Sequence, residues 1–369
     1  MKAIIFVPGY KGSILKNEET GESVWMPISL LFRNKGSLAL PVAKGDIRPS
    51  LIAAGILRLP PLVPDIYGPI LERLAGLNNN NTKVFHFSYD WRQSILTSAA
   101  ALKKLVENLR KTGYREINFV SHSMGGIVLA YYLRYGDQGP EQIEREWVEA
   151  KGVKNAVFCA SPFQGTARAL VYTLSGNRQL FNNSILSSRV SLSFPVAYEM
   201  MPTYTRSVLN PIDHNDSIDV FSVESWQRHQ IGLFGYPELP KNEVYTFLDK
   251  TLNTARGVLK LLNRGKSETL MPESMRILSI ISNDYPTLRE TYIDLKNSNR
   301  LIYELKQLRK IERARENAIC SGDGLVCEES GRHPFSFSDR CTERVLSFNH
   351  KTVFQKKKVN DLILDFVTS

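Results

Sequence analysis

The hydrophobic positions of this chain fall into short runs that are separated by stretches of helical periodicity. Five runs rich in β-branched residues are typical of buried strands, namely residues 3–7, 83–87, 117–120, 153–160 and 275–282. Between them apolar residues recur at helical spacing, as at positions 95, 96, 102, 105, 106 and 109. Alternating strands and helices predict an α/β fold, in which a mostly parallel sheet has helices on both faces.

One of these strands leads into a serine that is a candidate nucleophile. The run 117–120 is followed by Ser123, a pair of glycines and an apolar helix at 127–133. A serine between a buried strand and a buried helix is typical of the nucleophile elbow of α/β-hydrolases. That turn needs small residues two positions away on each side, and Ser121 and Gly125 occupy them. The pattern is thus Ser-x-Ser-x-Gly, and the alternative is an ordinary strand–helix connection with a serine in a glycine-rich turn.

A second glycine-rich turn follows the first strand. Residues 3–7 run directly into Pro8, Gly9 and Tyr10, and such a turn is where α/β-hydrolases place one donor of the oxyanion hole. The backbone N–H of Tyr10 is therefore the candidate donor. The alternative is a plain turn, because Pro-Gly is common between elements.

A serine nucleophile needs a base, and histidine has a suitable pKa near ~6.5. His350 follows a strand predicted at 344–348 and precedes a closing helix at 359–367, which is the position that the fold requires. Of the other histidines, two precede the nucleophile, two lie in a predicted cap and one lies in a polar segment. These are His86, His122, His214, His229 and His333.

Two aspartates compete for the role of the acid that orients the base. Asp284 follows the strand at 275–282, whereas Asp323 lies between Gly322 and Gly324. Flanking glycines let a loop turn sharply and bring a carboxylate to the imidazole Nδ1. The pattern favours Asp323, and Asp284 stays an alternative.

The strand–helix alternation also predicts the domain organisation. Residues 1–162 form the first part of the hydrolase core, with a partly apolar, irregular excursion at about 14–70 that faces lipid. The alternation fades over 163–273, which predicts an inserted cap or lid. Residues 274–369 complete the core, with a helical insertion at about 296–317.

The charge and the hydrophobicity of the chain restrict which partners and which cellular compartment are expected. The net charge of +10 is concentrated in two basic stretches at 256–266 and 306–315, which favours peripheral contact with an anionic membrane surface over nucleic acid. A solvated helix face is the alternative, and no obligate protein partner is evident. The chain has no apolar run long enough to span a bilayer and no signal peptide, which predicts a cytoplasmic protein.

The cysteines are compatible with that compartment. Cys159, Cys320, Cys327 and Cys341 lack the paired spacing of a zinc site, and reduced thiols are the default in the cytosol. A disulfide between Cys320 and Cys327 is the alternative.

Motifs along nearly the whole chain resemble those of the lecithin:cholesterol acyltransferase-like α/β-hydrolases, a family that also contains lysosomal phospholipase A2 and phospholipid:diacylglycerol acyltransferases. Tyr-Asp-Trp-Arg at 89–92 is the most specific of them. The others, in family order, are Val7-Pro8-Gly9, His122-Ser123-Met124-Gly125-Gly126, Ala160-Ser161-Pro162, the segment 198–202, Tyr285-Pro286-Thr287, Gly322-Asp323-Gly324 and His350.

The resemblance implies Ser123 as nucleophile, Asp323 as acid and His350 as base, with the backbone N–H groups of Tyr10 and Met124 as the oxyanion hole. It implies neither a metal nor a cofactor. The sequence therefore predicts a phospholipase- or lipase-like serine hydrolase or acyltransferase of lipid esters. The alternatives are a soluble carboxylesterase or thioesterase and a non-catalytic lipid-binding scaffold.

Overall fold

The strands and helices follow the alternation expected from the sequence. The computed structural model describes residues 1–25, 37–58, 65–177, 185–204, 208–209, 219–264, 271–294, 300–302, 305–308, 310, 318–332 and 341–369. Its strands are β1 (Lys2–Val7), β2 (Ser13–Asn17), β3 (Ser23–Trp25), β4 (Leu51–Ile56), β5 (Thr82–His86), β6 (Glu116–His122), β7 (Val153–Cys159), β8 (Val208–Leu209), β9 (Arg276–Ile281), β10 (Tyr285–Leu288), β11 (Thr291–Asp294), β12 (Arg300–Ile302), β13 (Ile319–Gly322) and β14 (Cys341–Val345). Its helices are α1 (Gly68–Ala75), α2 (Ile95–Lys111), α3 (Met124–Tyr135), α4 (Ala167–Ser175), α5 (Ser188–Ser191), α6 (Pro195–Glu199), α7 (Val223–Arg228), α8 (Lys241–Leu262), α9 (Leu305–Leu308), α10 (Glu328–Gly331) and α11 (Lys357–Thr368).

Six parallel strands form the central sheet, in the order β14-β9-β7-β6-β1-β5. Its inner strands are apolar along their length because both faces of the sheet are covered. On β1, Ile5 and Val7 point into a core that is shared with α2 and α3. The alternate residues Ile4 and Phe6 point into a second core, which is shared with α1 and α11.

Each of the five predicted strand runs forms a strand of this sheet, with ends shifted by at most a few residues. The last predicted strand, at 344–348, lies earlier, at Cys341–Val345, and pairs in parallel with β9. The helix predicted by the apolar positions from 95 to 109 is α2, and the Ser94 side chain caps it by accepting a hydrogen bond from the Leu96 N–H.

The structure corrects two predictions about irregular or inserted segments. The excursion at 14–70 is not irregular throughout, because within its described residues β2 pairs antiparallel with both β3 and β4 in a small sheet. The segment at 296–317 is not one helix. Residues 300–302 pair antiparallel with β11 instead, and 305–308 form a single helical turn, while most of the remainder lies outside the described residues. In the second segment strand pairing outweighs the local helical periodicity.

The predicted cap at 163–273 contributes α4 to α8, and these helices pack on the same face of the sheet as α2 and α3. The Glu199 carboxylate joins this segment to the core, because it accepts hydrogen bonds from the Ile95 N–H at 2.6 Å and from the Ser94 hydroxyl. Burial raises the pKa of Glu199 to about 7. The division of the chain into core, cap and core stays a prediction.

The structure also bears on two expectations from the sequence, namely reduced cysteines and the absence of a membrane-spanning segment. Cys159, Cys320, Cys327 and Cys341 are free thiols. None of the helices that the structure describes is long and apolar enough to cross a bilayer.

Candidate active site

Ser123 occupies a sharp turn between the end of β6 and the start of α3. Its backbone has φ 54° and ψ −129°, a conformation that is unusual for a residue with a side chain. The Ser123 N–H donates to the Cys159 carbonyl at 2.9 Å, which ties the turn to the neighbouring strand β7. Such strain persists only where surrounding structure holds it, and it is common at reactive sites.

The residues around the turn must be small because other backbone segments approach closely. A Cβ on Gly125 would lie 2.4 Å from the Pro8 carbonyl oxygen, and a Cβ on Gly126 would lie 1.9 Å from Ser161 Oγ. Ser121 has room for its hydroxymethyl group, and its buried hydroxyl donates to the Val157 carbonyl at 2.7 Å. The common form of the elbow motif, Gly-x-Ser-x-Gly, has glycine at this position, and the larger serine is accommodated here with its hydroxyl hydrogen-bonded.

Replacing Gly125 with alanine is expected to lower both the melting temperature and the rate of Ser123 labelling by a fluorophosphonate. The new methyl group must displace the loop at Pro8 that carries Tyr10. The matched control is Gly139→Ala, where a Cβ meets nothing closer than 3.8 Å. A Gly125→Ala protein with unchanged melting temperature and labelling rate would contradict the close approach.

The structure brings Ser123, His350 and Asp323 into one hydrogen-bonded chain. Ser123 Oγ lies 2.9 Å from His350 Nε2, and His350 Nδ1 lies 2.7 Å from Asp323 Oδ2. All three side chains are buried. His350 begins a short helical segment after β14, and its backbone N–H also donates to the Asp323 carbonyl at 2.9 Å. Base and acid are therefore joined through both side chain and backbone.

The loop around Asp323 depends on the two glycines that the sequence pattern singled out. Asp323 Oδ1 accepts hydrogen bonds from the Leu325 and Val326 N–H groups at 2.9 and 2.7 Å, which leaves Oδ2 for His350. Gly324 has φ +89°, and a Cβ on Gly322 would lie 2.2 Å from the Val326 carbonyl oxygen. Side chains at either position would distort the loop.

The competing candidates lie elsewhere. Asp284 is exposed and accepts a hydrogen bond from the Ser347 hydroxyl rather than from His350. His86 is exposed at the end of β5, and His229 ends α7. His214 and His333 lie outside the described residues.

His122 is next to the site but has another role. Its ring centroid lies 5.0 Å from that of His350, and its Nδ1 lies 3.2 Å from the Tyr67 hydroxyl. Burial, together with the nearby His350, holds the pKa of His122 well below its usual value, so its ring is neutral. The Tyr67 hydroxyl accepts from the Gly9 N–H at 2.9 Å and can donate to His122 Nδ1. Tyr67 therefore positions the loop that carries Tyr10, a role that no sequence signal indicated.

Tyr10 and Met124 present backbone N–H groups near the nucleophile, from the loop after β1 and from the first residue of α3. Gly9 approaches Ser123 so closely that a Cβ there would lie 2.9 Å from Ser123 Cβ. Among the described residues neither N–H group has a hydrogen-bond acceptor. Two unpaired amides beside Ser123, one of them at a helix N-terminus, are suited to stabilising an anionic oxygen.

Side chains of the Tyr-Asp-Trp-Arg motif at 89–92 bind the backbone of the loop that carries Tyr10. The Tyr89 hydroxyl donates to the Pro8 carbonyl at 2.8 Å, and the Trp91 indole N–H donates to the Ser13 carbonyl at 3.1 Å. The buried Arg92 forms an ion pair with the partly exposed Asp90 at 2.7 Å. The motif therefore fixes the backbone on both sides of Tyr10 without touching the reacting atoms.

A cavity of about 430 Å³ opens onto Ser123 and His350. Its lining is mainly apolar and is drawn from the first loop, the small antiparallel sheet and the segment 163–273. The apolar lining residues include Trp25, Leu57, Tyr172, Val196, Met200 and Leu325. Among the described residues no group of three or more His, Cys, Asp and Glu side chains is arranged to hold a metal ion. The cavity therefore suits an apolar ester placed against the serine.

Sequence comparison finds known proteins that are similar to this chain. An Arabidopsis thaliana protein described as lecithin-cholesterol acyltransferase-like 4 is 26% identical over 238 residues, which are 54% of this chain and 43% of the relative. A second Arabidopsis thaliana protein, phospholipase A(1) LCAT3, is 28% identical over 100 residues, which are 26% and 20% of the two chains. This chain spans less than half the length of these relatives.

Solved structures show the same fold at low sequence identity. The structure of the Tle4-Tli4 complex superposes with a TM-score of 0.59 at 13% identity, covering 99% of this chain and 98% of the other. That likeness and the six-stranded parallel sheet with its elbow identify an α/β-hydrolase fold.

The model of the lecithin:cholesterol acyltransferase family matches residues 65–314. The match covers more than half of the chain and includes the Tyr-Asp-Trp-Arg motif and Ser123, and it ends before Asp323. The chain therefore belongs to the lecithin:cholesterol acyltransferase family of α/β-hydrolases.

Proposed function

We propose that the protein is a serine hydrolase or O-acyltransferase of lipid carboxylic esters. The observation that carries this proposal is the hydrogen-bonded chain from Ser123 Oγ through His350 to Asp323, which opens into a mainly apolar cavity. Membership of the acyltransferase family supports the same chemistry.

In the acylation step, Ser123 Oγ attacks the ester carbonyl carbon while His350 Nε2 takes the hydroxyl proton. Asp323 accepts the hydrogen bond from His350 Nδ1–H and stabilises the imidazolium that forms. The carbonyl oxygen becomes an anion, and the N–H groups of Tyr10 and Met124 stabilise it; one such donor typically contributes on the order of 3 kcal/mol. The tetrahedral intermediate then collapses, and the alkoxide leaves with the proton from His350.

In the deacylation step, His350 takes a proton from water or from an alcohol acceptor, which attacks the acyl-enzyme on Ser123. Water yields a free fatty acid and an alcohol yields a new ester. In both cases the proton returns to Ser123 Oγ, so that the enzyme is regenerated without a metal or a cofactor.

We also propose peripheral contact with an anionic membrane surface. The excess of basic residues supports it, as do the exposed Lys250 and Lys260 on α8. Ile47 and Ile52 expose apolar side chains from the excursion at 14–70, at 92% and 45% of their full area. Most of the second basic stretch, at 306–315, lies outside the described residues. A cytoplasmic location stays a prediction.

The purified protein is expected to release fatty acid from phospholipid vesicles faster than it hydrolyses a monomeric short-chain p-nitrophenyl ester at equal ester concentration. The apolar cavity and the exposed isoleucines both favour the vesicle substrate. Mass spectrometry of the products and a colorimetric assay give the two rates. A preference for the monomeric ester would instead indicate a soluble esterase. Absence of both activities and of fluorophosphonate labelling would indicate a scaffold.

A further inference from the structure

Two lysines line the cavity next to the proposed catalytic groups. Lys11 follows Tyr10 in the first loop, and Lys351 follows His350. Among the described residues neither ammonium group is paired with a carboxylate, whereas Asp65, which also lines the cavity, is paired with Arg58. Arg168 adds a third basic side chain to the lining. The cavity is thus apolar in its walls and positive near the nucleophile.

The Lys11 side chain is held in place by the fold rather than free to leave the cavity. Its backbone has φ 66°, and its carbonyl accepts the Trp25 indole N–H at 3.0 Å. Its Nζ lies 5.5 Å from the centroid of the Tyr10 ring and 5.9 Å from that of Trp25. Because the aromatic rings order the side chain in advance, a ligand that binds it loses little additional entropy.

The electrostatics of this pair favour an anion. Burial and, to a smaller extent, the positive charge of Lys351 together lower the pKa of Lys11 to about 7. A negative group bound beside Lys11 would favour its charged form, since it compensates for lost hydration and offsets the repulsion from Lys351. Lys351 is exposed to solvent, whereas an uncompensated charge on the desolvated Lys11 ammonium group is costly to retain.

We propose that Lys11 and Lys351 form an anion subsite that binds the phosphate group of a glycerophospholipid lacking a cationic head group. This inference rests on the proposed function and narrows its substrate class. In such a lipid the phosphate is carried by the glycerol carbon next to an ester-bearing carbon, so it lies close to the reacting carbonyl. A choline or ethanolamine ammonium would instead meet the repulsion of the two lysines.

Short-chain lipids below their critical micelle concentration separate this subsite from general attraction to a charged surface. We expect the wild-type protein to show kcat/KM about tenfold higher for dihexanoyl phosphatidylglycerol than for dihexanoyl phosphatidylcholine, which corresponds to about 1.4 kcal/mol. In the variant Lys11→Met/Lys351→Met this ratio should fall close to one. Because the ratio compares two lipids within one variant, a loss of activity that affects both lipids equally does not change it.

Two further variants serve as controls. Lys11→Arg/Lys351→Arg keeps both charges and should keep the preference. Lys104→Met/Lys111→Met removes two exposed charges from α2, outside the cavity lining, and should also keep it. Inorganic phosphate, tested as an inhibitor, distinguishes a lipid phosphate from a free one.

Equal kcat/KM values for the two lipids in the wild-type protein would overturn the subsite. So would an unchanged ratio in the Lys11→Met/Lys351→Met variant, or inhibition by phosphate without any lipid preference. These outcomes leave the proposed hydrolase intact, because both lipids are still cleaved. Failure of the proposed function is a different result, in which neither lipid is cleaved and Ser123 is not labelled.

Discussion

Replacing Ser123 with alanine is expected to reduce kcat for ester cleavage by about 10⁴-fold or more. The variant loses the only atom that can form the acyl-enzyme, while the amides of Tyr10 and Met124 and the cavity are left in place. Fatty acid release from phospholipid vesicles, followed by mass spectrometry, measures the loss. Sedimentation with the same vesicles should show unchanged binding, because Ser123 lies inside the cavity.

Ser121→Ala is the matched control for this experiment. It removes a buried serine hydroxyl two residues away, whose partner is the Val157 carbonyl rather than a reacting atom. Losing that hydrogen bond is expected to cost on the order of 1 kcal/mol of the free energy of unfolding, with kcat little changed. Retained ester cleavage in Ser123→Ala would exclude the acyl-enzyme mechanism.

Replacing Asp323 with asparagine is expected to lower kcat by about 10⁴-fold without unfolding the loop. The asparagine oxygen can still accept the Leu325 and Val326 N–H groups, so the amide nitrogen would face His350 Nδ1. That arrangement favours the His350 tautomer that carries its proton on Nε2. In this tautomer Nε2 cannot accept the proton of the Ser123 hydroxyl. Steady-state kinetics with a p-nitrophenyl ester and a thermal melt measure the two effects.

Asp284→Asn is the control that distinguishes the two aspartates. Asp284 is exposed, and its hydrogen-bond donor is Ser347, so this substitution should leave kcat within about twofold of wild type. A large loss in Asp284→Asn together with a small loss in Asp323→Asn would reassign the acid.

Much of the fold was predictable because its signals are local. The inner strands of the central sheet are continuous apolar runs, as strands covered on both faces must be. The elbow and the chain order of serine, acid and histidine follow from short motifs, and the family resemblance is confirmed by the match at 65–314. The position of His350 after the last strand could likewise be derived from chain order.

Other parts of the fold and of the site depend on contacts between residues that are far apart in the sequence. The residues alone left Asp284 and Asp323 open, because each follows a strand and only the folded loops decide which one reaches His350. The small sheet of β2, β3 and β4 was missed because its strands are short and weakly alternating. Tyr67 was missed because its contacts with Gly9 and His122 connect three separate segments.

The backbone hydrogen bond from His350 to Asp323 has a consequence for how this site tolerates change. It closes the chain between the two residues into a loop whose two ends are joined directly to each other. The entropy of closing such a loop grows only logarithmically with its length, by about 0.6 kcal/mol for each doubling. Insertions between α10 and β14 should therefore leave the triad aligned, which makes this connection a natural place for relatives to differ in length.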